Sequence, residues 1–345
     1  MARVAYLFGA GASANALPIV SQIGARIEEQ LAWLADQHSE LPQKPLGESL
    51  GDYSHERAFN DYQAALKELH KAMLANLKLT IDTYARAVQR SDSFKARQLK
   101  AVMTLFFAIE QHKGRTVDWR YEDFFNALIG TRERRLPNNV VILTWNYDQQ
   151  IAMALGQLTK DDSVFSTMRT HKIRTLRSLA ERSQSEYQVL HLNGIAGYHW
   201  EREEIPSYDG PHQKRSLSEI WHHWLRSFAL TYYLRGYHDM YPLLDYAWDL
   251  DDDLDAYLDN AMTPLAEVER LVVVGYSFPA YNRKVDMGLL RRMPKLRKLT
   301  VQVRKKHRGE ELRERLEEEV SHLHGKIRVF EGCDHFVLPE EIYQQ

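Results

Sequence analysis

Six short runs of nearly unbroken apolar residues limit what this chain can fold into: Val4–Phe8, Val140–Thr144, Gln188–Leu192, Arg270–Val274, Leu299–Val303 and Ile327–Phe330. A strand covered on both faces needs apolar side chains at successive positions, and such strands belong to parallel sheets. Between the runs the hydrophobic period becomes helical. Val20, Ile23, Ile27, Leu31 and Leu34 recur three or four apart after Pro18, a residue suited to a first helical turn. Helices are expected over 148–156 and 282–293 as well. Strand, polar turn and helix in repetition give an α/β fold, a doubly wound parallel sheet of about six strands.

Two long stretches interrupt this plan. From about Tyr53 to Leu128 only helices are expected, with Leu66, Leu69, Met73, Leu77, Ile81 and Tyr84 on one face; the Trp- and Tyr-rich run from about Leu217 to Leu258 reads as helical too. The expected division is therefore a sheet domain built from 1–45, 136–205 and 262–345, with 46–135 and 206–261 as helical insertions forming a cap.

At 345 residues and 44% hydrophobic composition the chain can bury a full core. Its 45 Lys and Arg nearly balance 47 Asp and Glu, so no overall basic field marks nucleic acid as its main ligand. One cysteine, Cys333, excludes an internal disulfide and a four-cysteine zinc site. No apolar run reaches bilayer-spanning length and the start lacks a signal-peptide pattern, so a cytoplasmic protein without a membrane is expected.

Chemistry-bearing residues gather where the runs end. Gly9, Ala10, Gly11 and Ser13 follow the first; glycines there allow either a phosphate to approach a helix N-terminus or the strand and the helix to pack closely. After the second run comes Thr144-Trp-Asn146-Tyr-Asp148, in which Asn146 suits a ribose hydroxyl or a water and Asp148 suits a helix cap. His191-Leu-Asn193-Gly194 ends the third, and Gly275-Tyr-Ser277 ends the fourth. Ligands of open α/β sheets sit beyond the carboxyl ends of strands, which is where all four sets fall.

This ordered set, a G-A-G-A-S loop, T-x-N-x-D, an L-x-G strand end and G-Y-S, resembles the sirtuin-like family, in particular its prokaryotic branch in antiphage defence. The resemblance implies a Rossmann-like domain that binds NAD as substrate and hydrolyses it to nicotinamide and ADP-ribose. It implies that Gly9, Ala10, Gly11 and Ser13 cradle the pyrophosphate, that Asp148, Asn193, Gly194, Gly275 and Ser277 also contact the dinucleotide, and that Asn146 and a histidine are catalytic. It further implies a homo-oligomeric effector controlled by self-association or by a neighbouring ATPase or nucleic-acid-binding subunit. The chemistry passes through a sugar carrying positive charge, and nicotinamide leaves as a neutral molecule.

The chain departs from the family at one place. Asn193 stands where the family has its histidine, and His191 lies two residues earlier, on the same face but roughly 6–7 Å down the strand. His191 is the candidate base, with His199 as the other nearby histidine. A catalytically weak or idle NAD- or ADP-ribose-binding module is the alternative; a protein deacylase lacks its paired zinc cysteines here. Adjacent His222 and His223 diverge on a helix and make a poor metal site, so no metal is expected. The acidic run 249–255 and the basic run 132–135 read as solvated surface, and Asp334 is a weak candidate for the dinucleotide's adenine end.

Overall fold

A computed structural model describes residues 3–75, 81–114, 117–129, 134–161, 163–176, 178, 186–199, 215–233, 242–246, 249, 255, 258–259 and 264–343. Its strands are β1 (Arg3–Phe8), β2 (Val140–Thr144), β3 (Ile173–Thr175), β4 (Val189–His191), β5 (Gly194–His199), β6 (Pro242–Leu244), β7 (Val268–Val274), β8 (Lys298–Val303) and β9 (Ile327–Glu331). Seven of them form one parallel sheet in the order β3-β4-β2-β1-β7-β8-β9, while β5 and β6 pair separately. The six expected strands are all present. The seventh, β3, escaped the sequence reading because three residues with Arg174 at the centre carry no apolar run.

Without that short edge strand, the order is that of two mononucleotide-binding halves, a Rossmann-like sheet whose direction of winding reverses between β1 and β7. β1 is central because Val4 through Phe8 can be buried on both sides, pairing Val4 to Phe8 with Val140 to Thr144 and with Arg270 to Val274. Its alternate residues serve opposite faces. Ala5 and Leu7 join Leu143, Val273 and Val301 beneath the helices Arg283–Arg291 and Lys306–Glu319. Tyr6 and Phe8 instead meet Tyr121 and Phe124 of the helix Trp119–Leu128, together with Phe336, at ring separations of 4.8–5.7 Å.

The chain divides into two compact units, one comprising Met1–Asn15, Thr116–Gly194 and Tyr246–Gln345, the other Ala16–Arg115 and Ile195–Asp245. The division differs from the one drawn on sequence: 16–45 belongs with the helical unit, and the 119–128 helix belongs with the sheet. Aromatic packing on Tyr6 and Phe8 is the reason for the latter, a contact that periodicity alone does not reveal. In the helical unit His55–Ala75 and Ile81–Ser91 are separate helices, with Leu66, Leu69 and Ile81 buried but Met73 and Tyr84 only half-buried. Leu77, the 132–133 half of the basic run and most of the acidic run 249–255 lie outside the described residues.

Ladder bonds continue past the strand ends. Leu192 N–H donates to Thr144 O at 2.8 Å, Trp145 N–H to Phe8 O at 3.0 Å, Gly9 N–H to Val274 O at 3.0 Å and Gly11 N–H to Gly275 O at 3.0 Å. The last bond needs glycine on both sides. A Cβ on Gly11 would lie 2.7 Å from the Gly275 Cα, and one on Gly275, whose φ is +62°, would lie 2.4 Å from the Ala12 nitrogen. Gly275→Ala is expected to lower stability by about 1–3 kcal/mol, read as a shifted midpoint of urea unfolding. An unchanged midpoint would mean that the two loops can part freely.

Candidate functional site

The loop after β1 does not run straight into an α-helix. Ala10–Ser13 form a single 3-10 turn, and the expected helix starts only at Ile23. A phosphate docking on an α-helix N-terminus directly after Gly9 is therefore not what the backbone offers, and Gly11 serves loop-on-loop packing. What holds the loop is a pair that the sequence reading missed. Arg120, 3% exposed, donates to the carbonyls of Gly11 at 3.2 Å, Ala12 at 3.0 Å and Cys333 at 3.3 Å.

Asp118 keeps that guanidinium in place. Its carboxylate accepts from Arg120 Nε at 2.9 Å and Nη2 at 2.5 Å, and from both nitrogens of Asn15. The Asp118 N–H in turn donates to Gln150 Oε1 at 2.7 Å. Asp118 also caps the 119–128 helix, accepting from the Arg120 N–H.

Clamped in this way, the loop delivers Ser13 to the strand-end residues. Asn146 Nδ2 donates to Ser13 Oγ at 3.1 Å, and the Tyr121 hydroxyl lies 3.3 Å from the same oxygen. The Asp148 carboxylate accepts from the Gln150 N–H at 3.0 Å, at the first residue of the helix Gln150–Thr159. Burial raises the Asp148 pKa to about 6 and nearby Asp118 adds to the rise, against the lowering influence of the Ser13 hydroxyl and the Gln150 N–H. Ser13, Tyr121, Asn146 and Asp148 are all buried.

The remaining candidates occupy the neighbouring loops. His191 ends β4 opposite Thr144, with its Nδ1 3.2 Å from the Asn146 carbonyl. Only 1% exposed, its ring is pushed down to about 4 by burial, and Nε2 lacks a hydrogen-bond partner among the described residues although the Gly194 backbone lies beside it. Asn193 Nδ2 donates to the Tyr147 hydroxyl at 3.3 Å and to the Trp145 carbonyl at 3.5 Å, with Oδ1 unpartnered among the described residues and Gly194 at φ +74°. The structure thus sets His191 on the Asn146 carbonyl and Asn193 on the flanking residues Trp145 and Tyr147.

Gly275 and Ser277 are exposed, and Arg315 donates to the Ser277 carbonyl at 2.6 Å. Ala10 is half-buried, Asp334 is exposed, and His199 ends β5. Among the described residues no group of three or more His, Cys, Asp or Glu is placed to hold a metal, and no helix is long and apolar enough to cross a membrane.

The opposite face of the same strand ends carries a second buried carboxylate, absent from the sequence reading. Asp286 accepts from Trp145 Nε1 at 2.9 Å and from the Tyr276 hydroxyl at 2.7 Å, and Asn282 Nδ2 donates to that hydroxyl at 2.9 Å. Burial pushes Asp286 up to about 8 in spite of these donors. Nothing in the spacing pairs Trp145 with Asp286, 141 residues on.

No family model matches the chain, and no curated protein matches it.

Two outcomes are expected of the buried charges. Arg120→Met should cost about 3–5 kcal/mol in urea unfolding, because it leaves Asp118 buried without its cation. An unfolded Asp286 ionises near the ordinary value of 3.8, whereas the folded one retains its proton to about 8. Folded-state stability therefore falls as pH rises through that window, the unfolded chain binding fewer protons. The wild-type Tm should drop more between pH 5 and pH 8.5 than that of Asp286→Asn, and parallel curves would show that burial leaves Asp286 unshifted.

Proposed function

We propose that this protein binds NAD at the carboxyl ends of β4, β2, β1 and β7 and hydrolyses it to nicotinamide and ADP-ribose, as an effector in antiphage defence. The observation that carries the reading is the meeting of separate motifs: Ser13 of the G-A-G-A-S loop is hydrogen-bonded to Asn146 of T-W-N-Y-D, beside the strand end that holds His191. These residues line the side of a Rossmann-like sheet where such sheets take nucleotides. Asn146 would orient the attacking water or a ribose hydroxyl. A cytoplasmic homo-oligomer, with a neighbouring ATPase or nucleic-acid-binding subunit as control, completes the proposal.

A second reading, an NAD- or ADP-ribose-binding module without turnover, is favoured by the histidine chemistry. Asn193 cannot take a proton, and His191, pushed down to about 4, is a weak base sealed from solvent. In this reading His191 supports the Asn146 main chain.

Calorimetric titration with NAD and chromatographic separation of its products distinguish the two. If turnover occurs, Asn146→Ala should lower kcat by about 10²–10⁴ with little change in NAD affinity. Binding without cleavage, converted to cleavage by Asn193→His, decides for the binding module. A folded wild type with no affinity for NAD or ADP-ribose overturns both.

A further inference from the structure

β9 is the last strand of the sheet, and its outer edge faces no other strand among the described residues. On its inner side the Leu299 N–H donates to the Lys326 carbonyl at 3.0 Å and the Gly332 N–H to the Val303 carbonyl at 2.9 Å. Alternate residues make such bonds in a parallel ladder, so Arg328 and Phe330 turn their main-chain groups toward β8, whereas Ile327, Val329 and Glu331 turn theirs outward. Side chains alternate as well. Ile327 joins Leu312 and Leu316 in the core beneath the helix Lys306–Glu319, and Arg328 and Phe330 are exposed on the other face. Resting on the homo-oligomer of the reading above and not on its chemistry, we propose that β9 and the helix Lys306–Glu319 form a self-complementary face by which two copies of this chain join across a two-fold axis.

The helix has three flanks, because residues three or four apart share a side. Gly309, Leu312 and Leu316 are buried, with Gly309 seated against the side chains of Val303 and Val329, so the helix lies over β8 and β9. Arg315 donates to the Ser277 and Phe278 carbonyls and Glu319 pairs with Arg283, which turns that flank toward the loop after β7 and the helix Arg283–Arg291. Lys306, Glu310, Arg313 and Glu317 share the remaining flank, on the β9 side, where Glu317 accepts from the Gly325 N–H just before that strand. Their signs alternate. Laid antiparallel against the same flank of a second copy, Lys306 meets Glu317 and Glu310 meets Arg313. A slip of one turn either way opposes like charges.

The order of charges along the helix has the same implication. Lys306, His307 and Arg308 begin it and Glu317, Glu318 and Glu319 end it, with no acidic residue in the first turn and no basic one in the last. That order opposes the helix's own dipole. An antiparallel copy compensates, setting each basic end beside the other's acidic end.

Strand geometry selects a matching axis. Antiparallel pairing centred on Val329 lets Val329 exchange bonds with its own copy, and Ile327 with Glu331 of the second copy, through the groups that point outward. Arg328 then stands opposite Phe330 of the second copy, where the guanidinium can lie on a ring that is 47% exposed in the single chain. With the axis perpendicular to the sheet, both helices stand on one face, two strand spacings or about 10 Å apart, a distance at which helices pack. Gly309 over Val329 keeps the middle of the helix within about one turn of the strand's centre.

Sedimentation equilibrium of the full chain should show a dimer at micromolar concentration. Lys306→Glu and Glu317→Lys should each weaken its Kd about tenfold or more, and the double variant should return to within about threefold of wild type. Recovery in the double variant separates lost pairing from lost folding. The register has its own test in a Cys333→Ser background. Mixed Arg328→Cys and Phe330→Cys chains should link by a disulfide under mild oxidation, since opposed Cα atoms lie about 4.5 Å apart. Each variant alone should stay unlinked, because like positions lie diagonally at about 7–8 Å. A monomeric wild type, a mixture that stays unlinked, or charge reversals that leave Kd within about threefold each overturn the proposal. None of these readouts involves NAD, so the hydrolase reading stands or falls separately.

Discussion

The backbone contact between Gly11 and Gly275 is the constraint on which the rest of the sheet's carboxyl edge depends. At the point where winding reverses, the loops after β1 and β7 lie so close that no side chain fits between them. Gly11 donates to the Gly275 carbonyl, extending the β1–β7 ladder beyond the strands. The β1 loop is thereby turned toward the 119–128 helix, where Arg120 takes the carbonyls of Gly11 and Ala12. Ser13 reaches Asn146 as a consequence of these two fastenings.

The strand ends carry ionisable groups on both faces, and a parallel sheet makes this possible. Trp145 and Asn146 are adjacent in the chain and point to opposite sides, as successive extended residues do. Trp145 goes to Asp286 and Asn146 goes to Ser13. Each face thus hides one carboxylate whose charge burial opposes, at about 8 for Asp286 and about 6 for Asp148. Donors on the loops after β2 and β7 satisfy Asp286, which therefore requires those loops to remain together, whereas Asp148 takes the Gln150 N–H of its own segment. Arg120 and Asp118 add a third buried pair, and their partners span the loops after β1 and β9.

Much of this architecture was legible because its causes are local. Unbroken apolar runs announced buried parallel strands, and the polar residues just beyond them marked where a site would lie. The three-residue β3 gave no such signal. The glycines of the first loop allowed two readings, and the backbone of Gly275 takes the space that a side chain would need. His191 and Asn193 shared a face on strand spacing, yet Gly194 adopts φ +74° directly after Asn193, and the two side chains find different partners.

The sequence by itself determined the fold class, the position of most strands and the gathering of polar residues at their ends, because hydrophobic period and turn chemistry act between near neighbours. Tertiary structure alone decided the strand order, the attachment of the 119–128 helix to the sheet, and the partners of the buried charges. Arg120 binds the Gly11 carbonyl across 109 residues of chain, and Trp145 binds Asp286 across 141. Such pairings are selected by whole-sheet register and by the need of each buried polar group for a partner, and no local pattern encodes them.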